Sequence, residues 1–270
     1  MKMSKLSLAE TAELSMLLEV SANIKPGNID RFHDYEDTKF RHFLASAVLA
    51  RDVFERVPQM TLGEAMYAAV EHTNGHTGGN THFGAFILLL PLIKGKGIAG
   101  ACEAVLRTTV EDAVRFYQAF GKTQVRVNRE DEMDVNDPAS ITMLREKQMT
   151  MLDVMRYSSE TDMVAREWTN GFALTRKAAD ILKEKDGADQ IQEMFLRLMA
   201  AYPDTFIAKK FGYARAVSVM ERAQLVRAGG LSLSRFDEEC ILGGVNPGSL
   251  ADICIAGIFT ALLEGWQWDC

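Results

Sequence analysis

The sequence has little of several features that would assign it quickly. Its four cysteines, Cys102, Cys240, Cys254 and Cys270, form no Cys-x-x-Cys pair, so there is neither a zinc knuckle nor a disulfide framework to read. Long apolar runs are missing too. The greasiest stretches, 83–93 and 253–263, are interrupted by Gly, Pro or Thr and reach about half the length a spanning helix needs. An excess of basic residues is also lacking, with 30 Lys and Arg against 37 Asp and Glu. That balance excludes a sequence-independent grip on nucleic acid, which needs a basic face to release counterions. No Pro/Gly/Ser-rich linker divides the 270 residues, so one domain over 1–270 is expected. The N-terminus, Met-Lys-Met-Ser-Lys before an amphipathic stretch, has no signal-peptide pattern. A cytoplasmic protein that does not engage a membrane is expected.

What is present is helical periodicity. Ser7-Leu8-Ala9-Glu10 and Thr61-Leu62-Gly63-Glu64 are capping boxes, in which a hydroxyl accepts from the third helical amide and the Glu reaches back. Phe43, Ala47, Ala50 and Phe54 recur at three- and four-residue spacing, one apolar stripe of a helix that Pro58 ends. Further helices are expected at about 80–93, 98–119, 139–157, 161–185, 188–201, 213–228, 234–241 and 249–265. The charged stretch 121–138 is the longest candidate loop. The fold class is all-α, a single-domain helical bundle of about ten helices.

Three segments depart from this grammar. In the first, Lys25-Pro26-Gly27-Asn28-Ile29-Asp30 makes a turn, and Arg31-Phe32-His33-Asp34-Tyr35-Glu36-Asp37 concentrates titratable groups. The bare Gly27 backbone could admit a ligand. His33, Asp34 and Asp37 could converge if a helical turn follows, and Asp34 and Asp37 would suit Mg²⁺, which shares its shell with substrate phosphates. The same acids could simply favour the positive end of the next helix. In the second segment, His76-Thr77-Gly78-Gly79-Asn80-Thr81-His82-Phe83-Gly84-Ala85 offers free amides at a helix start, a seat for phosphate. A plain capped helix, with Gly84 allowing close packing, explains the pattern as well. The third, Asn246-Pro247-Gly248-Ser249-Leu250-Ala251-Asp252, opens the last apolar helix. Ser249 can cap it, while a buried Asp252 facing a pocket would be a functional carboxylate. All five histidines, 33, 42, 72, 76 and 82, lie in this first part of the chain, but none stands in a His-Glu-x-x-His arrangement, and His42 reads as structural.

Together these segments resemble the triphosphoribosyl-dephospho-CoA synthase family. Lys25 to Asp30 is similar to that family's Lys-Pro-Gly-x-Val-Asp, and His33-Asp34 falls at its His-x-Asp segment. Asn80-Thr81-His82-Phe83-Gly84-Ala85 resembles its Asn-Thr-His-Lys-Gly-Ala, with Phe83 in place of Lys. Asn246 to Asp252 resembles its Ser-Pro-Gly-Gly-Ser-Ala-Asp. The resemblance implies a transferase that moves the triphosphoribosyl group of ATP to a hydroxyl of dephospho-CoA or a related cofactor precursor, releasing adenine with Mg²⁺ assistance. It implies catalytic roles for His33, Asp34, Asp37 and His82, with Asp34 and Asp37 as the metal ligands. Substrate contacts would come from Lys25, Gly27, Asn28, Asp30, Gly79, Asn80, Thr81, Gly84, Asn246, Gly248, Ser249 and Asp252. A rival reading of the His33-Asp34 doublet is a metal-dependent nucleotide phosphohydrolase. A helical binding module without turnover is a third.

Overall fold

The structure is a computed structural model that describes residues 6–79, 81–123 and 138–270. Among the described residues there is no strand. The chain begins with α1 (Leu8–Val20), α2 (Phe40–Arg56), α3 (Leu62–Thr73), α4 (Phe83–Gly95), α5 (Ile98–Leu106) and α6 (Val110–Gly121). It continues through α7 (Pro138–Glu146), α8 (Met151–Ser158), α9 (Met163–Asn170), α10 (Ala173–Leu182) and α11 (Gln190–Ala201). It closes with α12 (Thr205–Phe211), α13 (Tyr213–Arg227), α14 (Leu233–Leu242) and α15 (Gly248–Leu263).

These fifteen helices exceed the ten or so expected because caps and turns cut long periodic stretches. The expected 98–119 helix is split by a capping box at Thr109 and Asp112. A second box, at Thr150 and Asp153, separates α7 from α8. The 161–185 stretch breaks at Gly171 and Phe172, both at positive φ, and the buried Glu167 carboxylate accepts from the amides of Leu174 and Thr175 to start α10. The boxes at Ser7 and Thr61 form as the sequence suggests. Much of the expected 121–138 loop lies outside the described residues.

At the centre, α4 and α15 pack together and against α1, and both are buried along almost their whole length. Pro91 sits inside α4, where it offers no amide to the carbonyl four residues back. That carbonyl belongs to Ile87, and the Trp168 indole Nε1 donates to it at 2.9 Å, so the missing backbone bond is replaced by a side chain. On its other side α15 touches α10 closely: a methyl carbon at Gly257 would fall 2.4 Å from the Ala178 Cβ. Among the described residues no single helix is long and apolar enough to cross a membrane.

Candidate active site

The three unusual segments meet where the first turns of α4 and α15 adjoin the end of α1. The connection after α1 forms a tight turn at Pro26 and Gly27, with Gly27 at φ +74°. A side chain there would collide with the Val245 carbonyl, 2.1 Å from the Cβ position. The bare backbone of Gly27 is therefore filled by the 243–248 turn, where the sequence left room for a ligand. Tyr35 clasps the same joint, its hydroxyl donating to the carbonyls of Gly27 and Val245 at 2.7 and 3.2 Å. Asn28 Nδ2 donates to Asn246 Oδ1 at 3.0 Å.

Lys25 is fully buried. Its ammonium donates to Glu19 Oε1 at 2.5 Å, Asn28 Oδ1 at 2.8 Å and the Ile29 carbonyl at 3.1 Å, which occupies all three of its protons. Lys25 thus holds the turn and presents Asn28. Asp30 is likewise engaged locally: Oδ1 accepts from the amides of Phe32 and His33, and Oδ2 from the Lys25 amide. Burial raises the pKa of Glu19 against the pull of Lys25.

The second segment reaches the first through Thr38, whose hydroxyl donates to the Gly78 carbonyl at 3.4 Å. Gly78 lies against the His42 ring, 2.0 Å from its Nδ1 at the Cβ position. His42 accepts from the Lys39 amide and stacks on His76 with centroids 5.0 Å apart, so it is structural. Gly79 is left-handed, and a Cβ there would meet open space. Asn80 lies outside the described residues, and Thr81 is partly buried. The N-cap of α4 is His82, two residues later than the sequence suggested. Its ring is buried, with Nδ1 2.8 Å from Ser46 Oγ and no partner for Nε2. Burial first, and the nearby His76 and Lys25 next, push its pKa down to about 3, so the imidazole is neutral at physiological pH. Phe83, in contrast, turns into the core against Phe116 and Phe120.

From the third segment, the Asp252 carboxylate lies over Gly84: a Cβ on Gly84 would stand 2.0 Å from Asp252 Oδ2. The Ala85 amide at the start of α4 also bonds to Asp252. Asp252 keeps some accessible surface, yet protein encloses it closely enough that burial, followed by the charges of Glu19, Asp204 and Asp162, raises its pKa well above the carboxylate range. Ser249 Oγ accepts from Thr205 Oγ1 at 3.1 Å. Gly248, the first residue of α15, faces the Phe206 ring.

The exposed acids behave differently. Asp34 and Asp37 are both exposed and lie on a bent, non-helical stretch, so they lack the shared helical face that would align them with His33. Asp34 Oδ1 accepts from the Phe40 amide at the start of α2, the dipole role that the sequence also allowed. His33 turns instead toward α14, with Nδ1 3.0 Å from Asp237 Oδ2. The angle there misses a hydrogen bond, so the contact is electrostatic. Burial raises the pKa of Asp237, while the Gly27 amide, 2.9 Å from Oδ1, and His33 oppose the rise. Among the described residues, no three His, Cys, Asp or Glu side chains gather to cage a metal ion. A divalent ion using Asp34 or Asp37 would therefore complete its shell with substrate phosphates and water.

A lysine-clamped turn, a glycine-flanked helix start and an enclosed acid come together from three distant segments. The family model of CitG, ATP:dephospho-CoA triphosphoribosyl transferase, matches residues 5–270. The chain belongs to this family. A crystal structure from Archaeoglobus fulgidus, provisionally assigned as a triphosphoribosyl-dephospho-CoA synthase, superposes with a TM-score of 0.71 at 28% identity, covering 83% of this chain and 100% of that one. No curated protein matches. The chain is thus a transferase that moves the triphosphoribosyl group of ATP, with adenine as the leaving group. The hydrolase reading of His33-Asp34 loses its basis, since the doublet is divided between Asp237 and the start of α2.

Sequence reasoning missed Glu19, Tyr35, Ser46, Asp204 and Asp237. Glu19 carried a signal: it recurs with Ala12 and Met16 on the buried stripe of α1, where an ionisable group needs a partner. Asp237 carried none, because Asp237-Glu238-Glu239 reads as a solvated charge run.

Proposed function

We propose that residues 1–270 act as one catalytic unit whose reaction centre is the cleft between the first turns of α4 and α15, with dephospho-CoA as the acceptor. The observation that carries this reading is the apposition of Asp252 and Gly84. It sets an acid of raised pKa beside the amides of a helix N-terminus, which attract phosphate. In the transfer, the acceptor hydroxyl oxygen bonds to ribose C1′ and the bond from C1′ to adenine N9 breaks. The bond's electron pair leaves with adenine, which must gain a proton, while the acceptor hydroxyl must lose one.

We assign the proton donated to adenine to Asp252, because an acid that is protonated in the resting protein can supply it. His82, neutral and with an unpartnered Nε2, hydrogen-bonds the donor nucleotide. The backbone at Gly79, Asn80, Thr81 and Gly84 holds the triphosphate. Asn28, Asn246, Gly248 and Ser249 orient the ribose, and Lys25, Gly27 and Asp30 support them from behind. His33, half-exposed beside Asp237, takes the acceptor proton. Asp34 and Asp37 would hold Mg²⁺, which would neutralise charge on the triphosphate of ATP. The reaction belongs in the cytoplasm, where ATP is available.

The test is incubation with ATP and dephospho-CoA, reading free adenine and the mass of the coupled product. Asp252→Asn should lower adenine release by at least a hundredfold with the fold intact by circular dichroism. Asp34→Asn and Asp37→Asn should raise the Mg²⁺ concentration needed. Phosphate release with an intact nucleoside would overturn the transferase reading.

A further inference from the structure

The proposed donor site lies at the first turns of α4 and α15, and an acceptor must approach it from one side. Around the 243–248 turn, α12 and α13 present a group of side chains that the donor site does not use. Phe206 is 43% exposed and its Cδ1 lies 3.5 Å from the Cβ position of Gly248. Lys210, exposed, donates to the Gly244 carbonyl at 3.3 Å. Arg215, also exposed, brings a guanidinium nitrogen to 3.5 Å from the Cβ position of Gly243. Lys209 is neutralised by Asp162, whereas Lys210 and Arg215 have no carboxylate partner among the described residues. Both cations border the 243–248 turn, in a chain of net charge −7.

This rim shares a helix face with the reaction centre. Residues 248 and 252 are four apart on α15 and so lie one above the other, about 6 Å along its axis. Phe206 rests at the first of these levels and Gly84 at the second. Two ligands seated on the two levels would lie side by side along one face of α15.

We propose that the rim formed by Phe206, Lys210 and Arg215 is the acceptor's docking site, taking a nucleotide-type pyrophosphate on the two cations and the flat or apolar part of the acceptor on the phenyl ring. The inference rests on the transferase reading and adds the acceptor's location to it. Its physical basis is charge complementarity: two cations on either side of one turn attract a pyrophosphate, and an exposed ring beside them offers stacking. Glycines at 243, 244 and 248 keep the turn low enough for the ligand to lie across it.

The experiment compares the wild-type chain with Lys210→Ala/Arg215→Ala and with Phe206→Ala, each checked for an unchanged melting temperature. The expected result is a rise of tenfold or more in KM for dephospho-CoA with KM for ATP unchanged. In the double variant, the acceptor KM should also lose its dependence on salt. Phe206→Tyr should retain the wild-type value. Calorimetric binding of dephospho-CoA, which needs no turnover, should weaken in the same order. An unaltered acceptor affinity, or a rise in KM for ATP instead, overturns the rim. A wild-type chain that binds dephospho-CoA through the rim but yields no coupled product counts against the transferase reading and leaves the rim standing.

Discussion

Gly84 and Asp252 are interlocked, with the carboxylate Oδ2 lying where a side chain on residue 84 would begin. Replacing Gly84 by Ala therefore forces α15 or the carboxylate to shift. We expect Gly84→Ala to destabilise the fold by about 1–3 kcal/mol, as overpacking does, and to reduce adenine release at least tenfold. Urea unfolding and a coupled adenine assay check this. A fully active alanine variant would show that the contact does not matter to the chemistry.

Lys25 and Glu19 form an ion pair with both partners buried. Removing the cation leaves an uncompensated acid, and Lys25→Met should cost about 3–5 kcal/mol. The double variant Lys25→Met/Glu19→Leu should recover most of that loss in stability. Its catalytic activity should stay low, because Asn28 loses the ammonium that fixes its side chain. Equal stability of the single and double variants would contradict this account.

The Trp168 indole serves the Ile87 carbonyl that Pro91 leaves without a donor. Trp168→Phe should therefore lose about 1–3 kcal/mol, the penalty of a buried unsatisfied group. Adding Pro91→Ala to that variant restores a backbone amide and should return part of the stability. A double-mutant cycle in urea measures the coupling, which is expected to be non-zero.

Asp204 caps two helices at once, Oδ1 accepting from the Ile207 amide at 2.9 Å and Oδ2 from the Leu250 amide at 2.8 Å. Burial outweighs those bonds and raises its pKa from 3.8 to about 6. The folded state then binds the proton more tightly than the unfolded chain. The associated stability is fully present below pH 3.8 and is lost as pH rises through about 6. A rise of that size corresponds to roughly 3 kcal/mol. Asp204→Asn, which cannot titrate, should therefore lag the wild type by more at pH 4 than at pH 7 when urea midpoints are compared. A constant gap would mean that Asp204 titrates normally.

Much of the fold was legible because its signals are local. A hydroxyl followed three residues later by an acid starts α1, α3, α6 and α8, and the last two boxes were there to be read at Thr109 and Thr150. Another break that periodicity missed depends on φ, at Phe172, whose left-handed backbone nothing in its side chain announces. The candidate site divides in the same way. Gly84 and Asp252 stood out as turn residues, but their contact joins positions far apart in the chain and needed the fold. Asp34 and Asp37 looked like a metal pair because acids three apart share a face on a helix. The chain there bends without forming a helix, so one bonds the start of α2 and the other faces solvent.

The meeting of the first turns of α4 and α15 gives the proposed donor site a polarity that the formal charge conceals. Peptide dipoles that end at the same point act as a fixed, oriented source of positive potential, and unlike lysine side chains they cannot swing to follow a misplaced anion. A ligand is then sorted by the direction in which its oxygens project rather than by how much charge it carries. Dicarboxylates of comparable charge should accordingly compete poorly with polyphosphates for this cleft.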